Sequence, residues 1–285
     1  MKQEVIDLYD EYVHGGMSRR AFLDRLAQTV GGSAAALAML PVLENNYGQT
    51  PVVAADDKSL VTGKADYDAA GTKMTGYVAR LKDGRKRPGV IVIHENRGLN
   101  PHIEDVTRRL AVEGFLAFAP DALSPLGGTP ADQDLAVKMI GSLNNAETVV
   151  RMAAAVKFLA THAESTGKVG VVGFCWGGGM VNQLAAAGTT LNAGVSYYGQ
   201  TLPAADVPKI TAPLLLHYAS LDERINAGMA EYEAALKANK KPYQLHMYEG
   251  ANHAFNNDTN AARYNKEAAA LAWGRTIAFF KKYLN

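Results

Sequence analysis

Lys168-Val169-Gly170-Val171-Val172-Gly173-Phe174-Cys175-Trp176-Gly177-Gly178-Gly179 is the stretch from which the rest of the chain can be placed. Its first five residues read as a strand, and Gly179-Met180-Val181-Asn182-Gln183-Leu184-Ala185-Ala186 suits a helix. Between them, Gly173 to Gly177 carries the G-x-S-x-G spacing of a strand-to-helix elbow, with a thiol where that motif has a hydroxyl. The flanking glycines let the backbone bend sharply without Cβ clashes and present one side chain at the sheet's mouth. Cys175 is the only cysteine of the 285 residues. An intrachain disulfide and a Cys-rich metal or cluster site are thereby excluded.

Outward from the elbow, strand and helix patterns alternate. Leu60–Tyr67 and Met74–Leu81 read as an antiparallel pair turning at Ala70-Gly71. Pro88–Ile93 is a continuous apolar run suited to a buried parallel strand. A helix is expected over His102–Glu113, a strand over Leu116–Pro120, a loop over Asp121–Gln133 and mostly helix over Asp134–Ala163. Strands follow at Ala193–Tyr198, Leu214–Tyr218 and Tyr243–Tyr248, with helices at Ala227–Ala238 and Ala262–Tyr283. This order predicts an α/β architecture: a mainly parallel sheet with helices on both faces. It occupies residues 59–285 as one catalytic domain, preceded by an extension over 1–58.

A nucleophilic thiol needs a base, and the base needs an orienting acid. Asp222 lies just beyond the strand Leu214–Tyr218, and His253 just beyond Tyr243–Tyr248. The carboxyl edge of an open parallel sheet is where ligands bind, so Cys175, Asp222 and His253 are expected to share one crevice. Glu223 competes with Asp222 for the acid role. His14, His94, His102, His162, His217 and His246 are read as structural, because none has the matching offset from the acid strand; His94, beside Glu95, is the least settled of them. Trp176, Tyr198 and Phe255 flank these positions and are read as candidate walls of an acyl pocket, against core packing as the alternative.

The bulk composition narrows the partners. Apolar residues make up 48% of the chain and the net charge is +1, which gives no electrostatic reason for a nucleic-acid partner. No run reaches the roughly 18 apolar residues of a membrane span. The reading calls for no cofactor and no metal, and a homo-oligomer is compatible with it.

Residues 1–58 support two readings. Ser18-Arg19-Arg20-Ala21-Phe22-Leu23 resembles a twin-arginine export motif, followed by the apolar stretch Val30–Leu43 and small residues at Val53-Ala54-Ala55. Against export stand Glu4, Asp7, Asp10 and Glu11 ahead of the arginines, and Asp24 after them. The alternative is two retained helices, with Val5, Leu8, Tyr9 and Tyr12 on one face of the first and Ser18 capping the second. The second reading is preferred, and with it a cytoplasmic location over a periplasmic one.

The chain resembles the dienelactone hydrolases of the α/β-hydrolase fold. The residues that carry the resemblance are Ile91–Asn100, Ala119-Pro120-Asp121, Lys168–Gly178, Tyr197-Tyr198-Gly199 and Gly250–Phe255. It implies that Cys175 is the nucleophile, His253 the base and then acid, and Asp222 the orienter. It implies that Glu95 holds the thiol in a neutral resting arrangement, for which a surface carboxylate paired with Arg97 is the alternative. The backbone N–H groups of Trp176 and Asn96 would form the oxyanion hole. Two carboxylate-binding arginines of the family are missing: Ala122–Met139 offers only Lys138, and Ala254–Asn257 offers no base. Arg97 is the candidate replacement. The expected substrate is therefore a small ester or lactone other than dienelactone itself. Acyl transfer on the same site and a non-catalytic ligand-binding or redox-sensing role are the competing readings.

Overall fold

The computed structural model describes all 285 residues, Met1–Asn285. Three helices come first: α1 (Gln3–Val13), α2 (Arg19–Val30) and α3 (Ser33–Leu43). The strands β1 (Leu60–Ala69), β2 (Thr72–Leu81) and β3 (Arg87–Ile93) follow, then α4 (Pro101–Val112) and β4 (Leu116–Pro120). Next come α5 (Gln133–Gly141), α6 (Asn145–Ala160), β5 (Ser165–Phe174), α7 (Trp176–Ala186) and β6 (Ala193–Tyr197). The chain ends with β7 (Leu214–Ala219), α8 (Glu223–Asn226), α9 (Met229–Ala238), β8 (Tyr243–Tyr248) and α10 (Lys266–Leu284).

The eight strands form one sheet in the order β1-β2-β4-β3-β5-β6-β7-β8. The β1–β2 and β2–β4 pairs are antiparallel, and every other pair is parallel. Val90–Ile93 of β3 are wholly buried because both sheet faces are covered. On one face pack Met152 and Leu159 of α6, Met180 and Leu184 of α7, and Leu236 of α9. On the other lie Ile103, Val106 and Leu110 of α4 with Ile277 and Phe280 of α10. All parallel strands thus point their carboxyl ends at one edge, where the candidate residues gather.

Three expected helices differ in outline. The helix over Asp134–Ala163 is two, because the Asn144 side chain caps α6 by accepting from the Glu147 N–H at 3.1 Å. The Ala227–Ala238 helix starts at Met229, after the short α8 and Gly228. The closing helix starts at Lys266, where Asn265 caps it by accepting from the Ala268 N–H, so Ala262–Asn265 are not helical.

The extension holds a third helix, α3, beyond the two read from the sequence. Ser18 caps α2 by accepting from the Ala21 N–H at 3.2 Å. Gly31 and Gly32, at φ 88° and 139°, turn the chain by 110° into α3. Val5, Leu8, Tyr9, Val13, Phe22, Leu26, Ala36 and Leu43 form its own small core, against which Ala262 also packs. No single helix is long and apolar enough to cross a membrane. Arg19 pairs with Asp134 of α5 at 3.0 Å and with Glu44 at 3.3 Å. Gln3 donates to Asn252 at 2.5 Å, and Asn260 donates to the Leu43 carbonyl at 2.5 Å. These contacts lay α1 across the carboxyl edge of the sheet.

Candidate active site

Cys175 occupies the turn between β5 and α7 with φ 54° and ψ −114°, a backbone region costly for a residue bearing a Cβ. The turn is held by the Cys175 N–H on the Tyr197 carbonyl at 3.0 Å and the Gly179 N–H on the Cys175 carbonyl at 3.1 Å. Both flanking glycines are required by close approach. A Cβ on Gly173 would sit 2.1 Å from the Gly177 carbonyl oxygen, and one on Gly177 would sit 2.4 Å from that of Ile93. The thiol is buried but borders a cavity of about 420 Å³.

Asp222 follows β7 and caps α8, accepting from the Ile225 N–H at 3.3 Å with one oxygen. Its other oxygen accepts from His253 Nδ1 at 2.5 Å. Glu223 points to solvent instead. His253 is buried, its Nε2 has no hydrogen-bond partner, and a ring nitrogen lies within 4.8 Å of Cys175 Sγ. Burial opposes protonation of His253, but the charges of Asp222, Asp10 and Cys175 outweigh it and hold its pKa well above the ordinary value.

His14, read from sequence as structural, is the residue in hydrogen-bonding contact with the thiol. Its Nε2 lies 3.3 Å from Cys175 Sγ. Its Nδ1 faces the Asp10 carbonyl oxygen at 2.8 Å and the Asp10 carboxylate at 3.3 Å. The His14 ring meets the His253 ring edge-on, with centroids 4.8 Å apart. Desolvation by itself would lower the His14 pKa, but Cys175 and Asp10 raise it. Burial would raise the Cys175 pKa, yet the two imidazoles, His253 first and then His14, bring it down to about 6. The only local signal was the Asp10–His14 spacing, which puts a carboxylate and an imidazole on one helix face. Nothing in that spacing says which way the face points. His14, Cys175 and His253 are also the residues whose donor set and spacing could hold a metal ion.

His94 and His217 are held by backbone and core contacts. His94 Nδ1 donates to the Glu95 carbonyl at 2.6 Å, and its Nε2 accepts from the Ala122 N–H at 3.2 Å. His217 is buried between Tyr248 and Thr276.

Glu95 makes neither of its expected contacts. It is buried, not a surface carboxylate, and forms no ion pair with Arg97. Its oxygens accept from Asn257 Nδ2 at 2.8 Å and from the Tyr198 hydroxyl at 3.4 Å, while the thiol faces His14. Arg97 is buried beneath α1 and donates to the Tyr9 hydroxyl at 3.0 Å. Asn96 donates its side-chain amide to the Val13 carbonyl at 2.7 Å, while its backbone N–H donates to no carbonyl. Trp176 is the first residue of α7, so the helix itself leaves its N–H unused. Its ring stacks on His94, with centroids 5.3 Å apart. Tyr198, at φ 39°, sits with its ring 5.0 Å from that of His253. Phe255 is a correction: it is fully buried against Tyr248, Tyr198 and Tyr197 and supports the site from within the core rather than walling a pocket.

Two clefts meet here. The cavity beside the thiol is lined by Val137, Lys138 and Ile140 on one side and by Val13, His14 and Trp176 on the other. A polar cleft of about 430 Å³ lies between α1 and the Asp222 and His253 loops. Asp10 faces it, 3.4 Å from Arg263 and 3.6 Å from Arg224.

The model of the dienelactone hydrolase family matches residues 74–284. The chain belongs to this family. A second model, described as YqhI-like, matches residues 1–32. A Saccharolobus solfataricus relative named as a carboxymethylenebutenolidase is 32% identical over 252 residues, covering 76% of this chain and 96% of its own. A Bradyrhizobium relative named as a 2-oxo-3-(5-oxofuran-2-ylidene)propanoate lactonase is 30% identical, covering 77% of this chain and 93% of its own. Among solved structures, a dienelactone hydrolase from Klebsiella pneumoniae superposes with a TM-score of 0.72 at 29% identity, covering 79% of this chain and all of that one. The fold is that of the α/β-hydrolases, and the dienelactone hydrolase family is one of lactone and ester hydrolases.

Proposed function

We propose that this dienelactone hydrolase family member cleaves a small ester or lactone through a thioester on Cys175. The observation that carries the reading is the placement of the elbow thiol beside a buried imidazole whose far nitrogen is tied to Asp222 at 2.5 Å. In the first step Sγ attacks the carbonyl carbon, and the carbonyl electrons move onto oxygen. The Trp176 and Asn96 N–H groups face that oxyanion. The carbon–oxygen bond to the leaving group breaks, and the leaving oxygen takes the proton held by His253. Water then cleaves the thioester. Asp222 keeps the proton of His253 on Nδ1 and favours the imidazolium.

Glu95 acts as a positioning group. It fixes Tyr198 and Asn257 behind the thiol and adds a buried negative charge to the site. The cavity wall of Val137, Ile140 and Trp176 favours an apolar acyl portion. Arg97, the candidate carboxylate partner, is buried and donates to the Tyr9 hydroxyl.

The experiment is hydrolysis of a panel of 4-nitrophenyl esters and five- and six-membered lactones, with and without a carboxylate. Wild type should turn over the short apolar members and form an acyl adduct on Cys175 visible by mass spectrometry. Equal rates in Cys175→Ala would overturn the assignment.

A further inference from the structure

The thiol is flanked by two imidazole–carboxylate pairs, His253–Asp222 from the sheet edge and His14–Asp10 from the N-terminal extension. We propose that His14 is a second catalytic imidazole, supplied by the extension, which takes the proton from the water that cleaves the thioester. The proposal rests on Cys175 being the nucleophile.

Geometry supports a division of labour. His14 Nδ1 lies 2.8 Å from the Asp10 carbonyl, an acceptor only, so Nδ1 keeps its hydrogen. Nε2 donates to the thiolate at rest; once the sulfur is acylated that charge is gone, Nε2 releases its proton to solvent and its lone pair is free. At 3.3 Å from Sγ, Nε2 is within one water of any acyl carbon bound there. The two rings stand at 86° to each other with their centroids 4.8 Å apart. Opening a lactone makes such a partition useful. The leaving hydroxyl stays tethered to the acyl group beside His253, where it can re-form the ring. A second base can activate water while His253 is still beside that hydroxyl.

The step balances as follows. His14 Nε2 accepts one proton of water while the water oxygen bonds to the acyl carbon and the carbonyl electrons move onto oxygen. Collapse of this intermediate breaks the carbon–sulfur bond and returns its electron pair to Sγ. The carboxylic acid product leaves and gives its proton to His253, which had lost one to the leaving oxygen. His14 keeps the proton it took from water, which replaces the one released to solvent on acylation, and the starting state is restored. The charged and titratable groups around His14 are Asp10, Cys175, His253, Glu95, Arg97, Arg224 and Arg263.

The test is pre-steady-state hydrolysis of 4-nitrophenyl acetate by the full-length protein, repeated with EDTA. His14→Gln should keep the burst of nitrophenolate and accumulate acetyl-Cys175, while turnover after the burst falls about 100-fold, the scale of general-base catalysis. Added imidazole should restore part of the loss in His14→Ala. Turnover after the burst equal to wild type would overturn the proposal, as would loss of wild-type activity to EDTA. A wild type with no burst and a fully active Cys175→Ala would sink the nucleophile assignment instead. Should His14→Gln fail to fold, Asp10→Asn retains the imidazole. It should lower the pH midpoint of turnover, and an unmoved midpoint overturns the proposal.

Discussion

The side-chain amide of Asn96 donates to the main-chain carbonyl of Val13 at 2.7 Å. This bond joins the last residue of α1 to the loop that follows β3. It ties the position of the extension to that of the Asn96 backbone N–H, which is proposed for the oxyanion hole. Asn96→Ala keeps that N–H but deletes the bond, worth about 1 kcal/mol. Amide exchange over residues 3–14 should speed up several-fold, and kcat should fall with KM little changed. Unaltered exchange would show that the bond does not hold α1.

The thiol pKa, brought down to about 6, predicts the pH dependence of alkylation. A lowered pKa means that the thiolate persists as pH falls until about 6. The rate with iodoacetamide should therefore rise with pH, reach half its plateau near pH 6 and be flat above 8. His14→Gln removes one of the stabilising imidazoles and should move the midpoint upward. A wild-type midpoint near 8.5, as for a free thiol, would mean that the imidazoles do not act on it.

Glu95 contributes negative charge and two hydrogen bonds behind the thiol. Glu95→Gln keeps the shape and removes the charge. Thiolate should then be favoured slightly, so the alkylation midpoint shifts down and Tyr198 is held less firmly. Alkylation kinetics identical to wild type would remove Glu95 from the chemistry.

Gly177→Ala tests the elbow. Its Cβ would meet the Ile93 and His94 carbonyl oxygens at 2.4 and 2.6 Å, backbone atoms that cannot swing aside. Overpacking of this kind costs about 1–3 kcal/mol or more. A lowered Tm and loss of acyl-adduct formation are expected. Wild-type Tm and activity would show that the elbow has room the geometry denies.

The position of His14 also bears on processing. Cleavage near Val53-Ala54-Ala55 would remove α1 and with it His14, Asp10 and the Tyr9 partner of Arg97. Mass spectrometry of active protein purified from its native cells should find peptides covering residues 3–25. Full turnover in protein lacking them would contradict the role given to His14.

The elbow and the alternation of strands and helices were legible because each is a local pattern. Gly173-Phe174-Cys175-Trp176-Gly177 marks its own turn, and continuous apolar strands betray a sheet covered on both faces. The breaks at Asn144 and Gly228 were not, because caps and short interruptions compete weakly with an otherwise helical pattern. Phe255 could not be told from a pocket residue, since an aromatic beside a catalytic position fits either side of a wall.

The sequence by itself determined the sheet, the elbow and the expectation that Cys175, Asp222 and His253 meet, because strand ends carry loops to one edge whatever surrounds them. Only the tertiary structure decided that α1 lies across that edge. The face of α1 that holds Tyr9, Asp10 and His14 is an ordinary amphipathic pattern, and its destination depends on contacts with Asn96, Arg97, Asn252 and Arg263, up to 253 residues away in the chain. Periodicity can say that a helix has a face to bury; which surface receives it is set by shape and hydrogen bonding that exist once the sheet has formed.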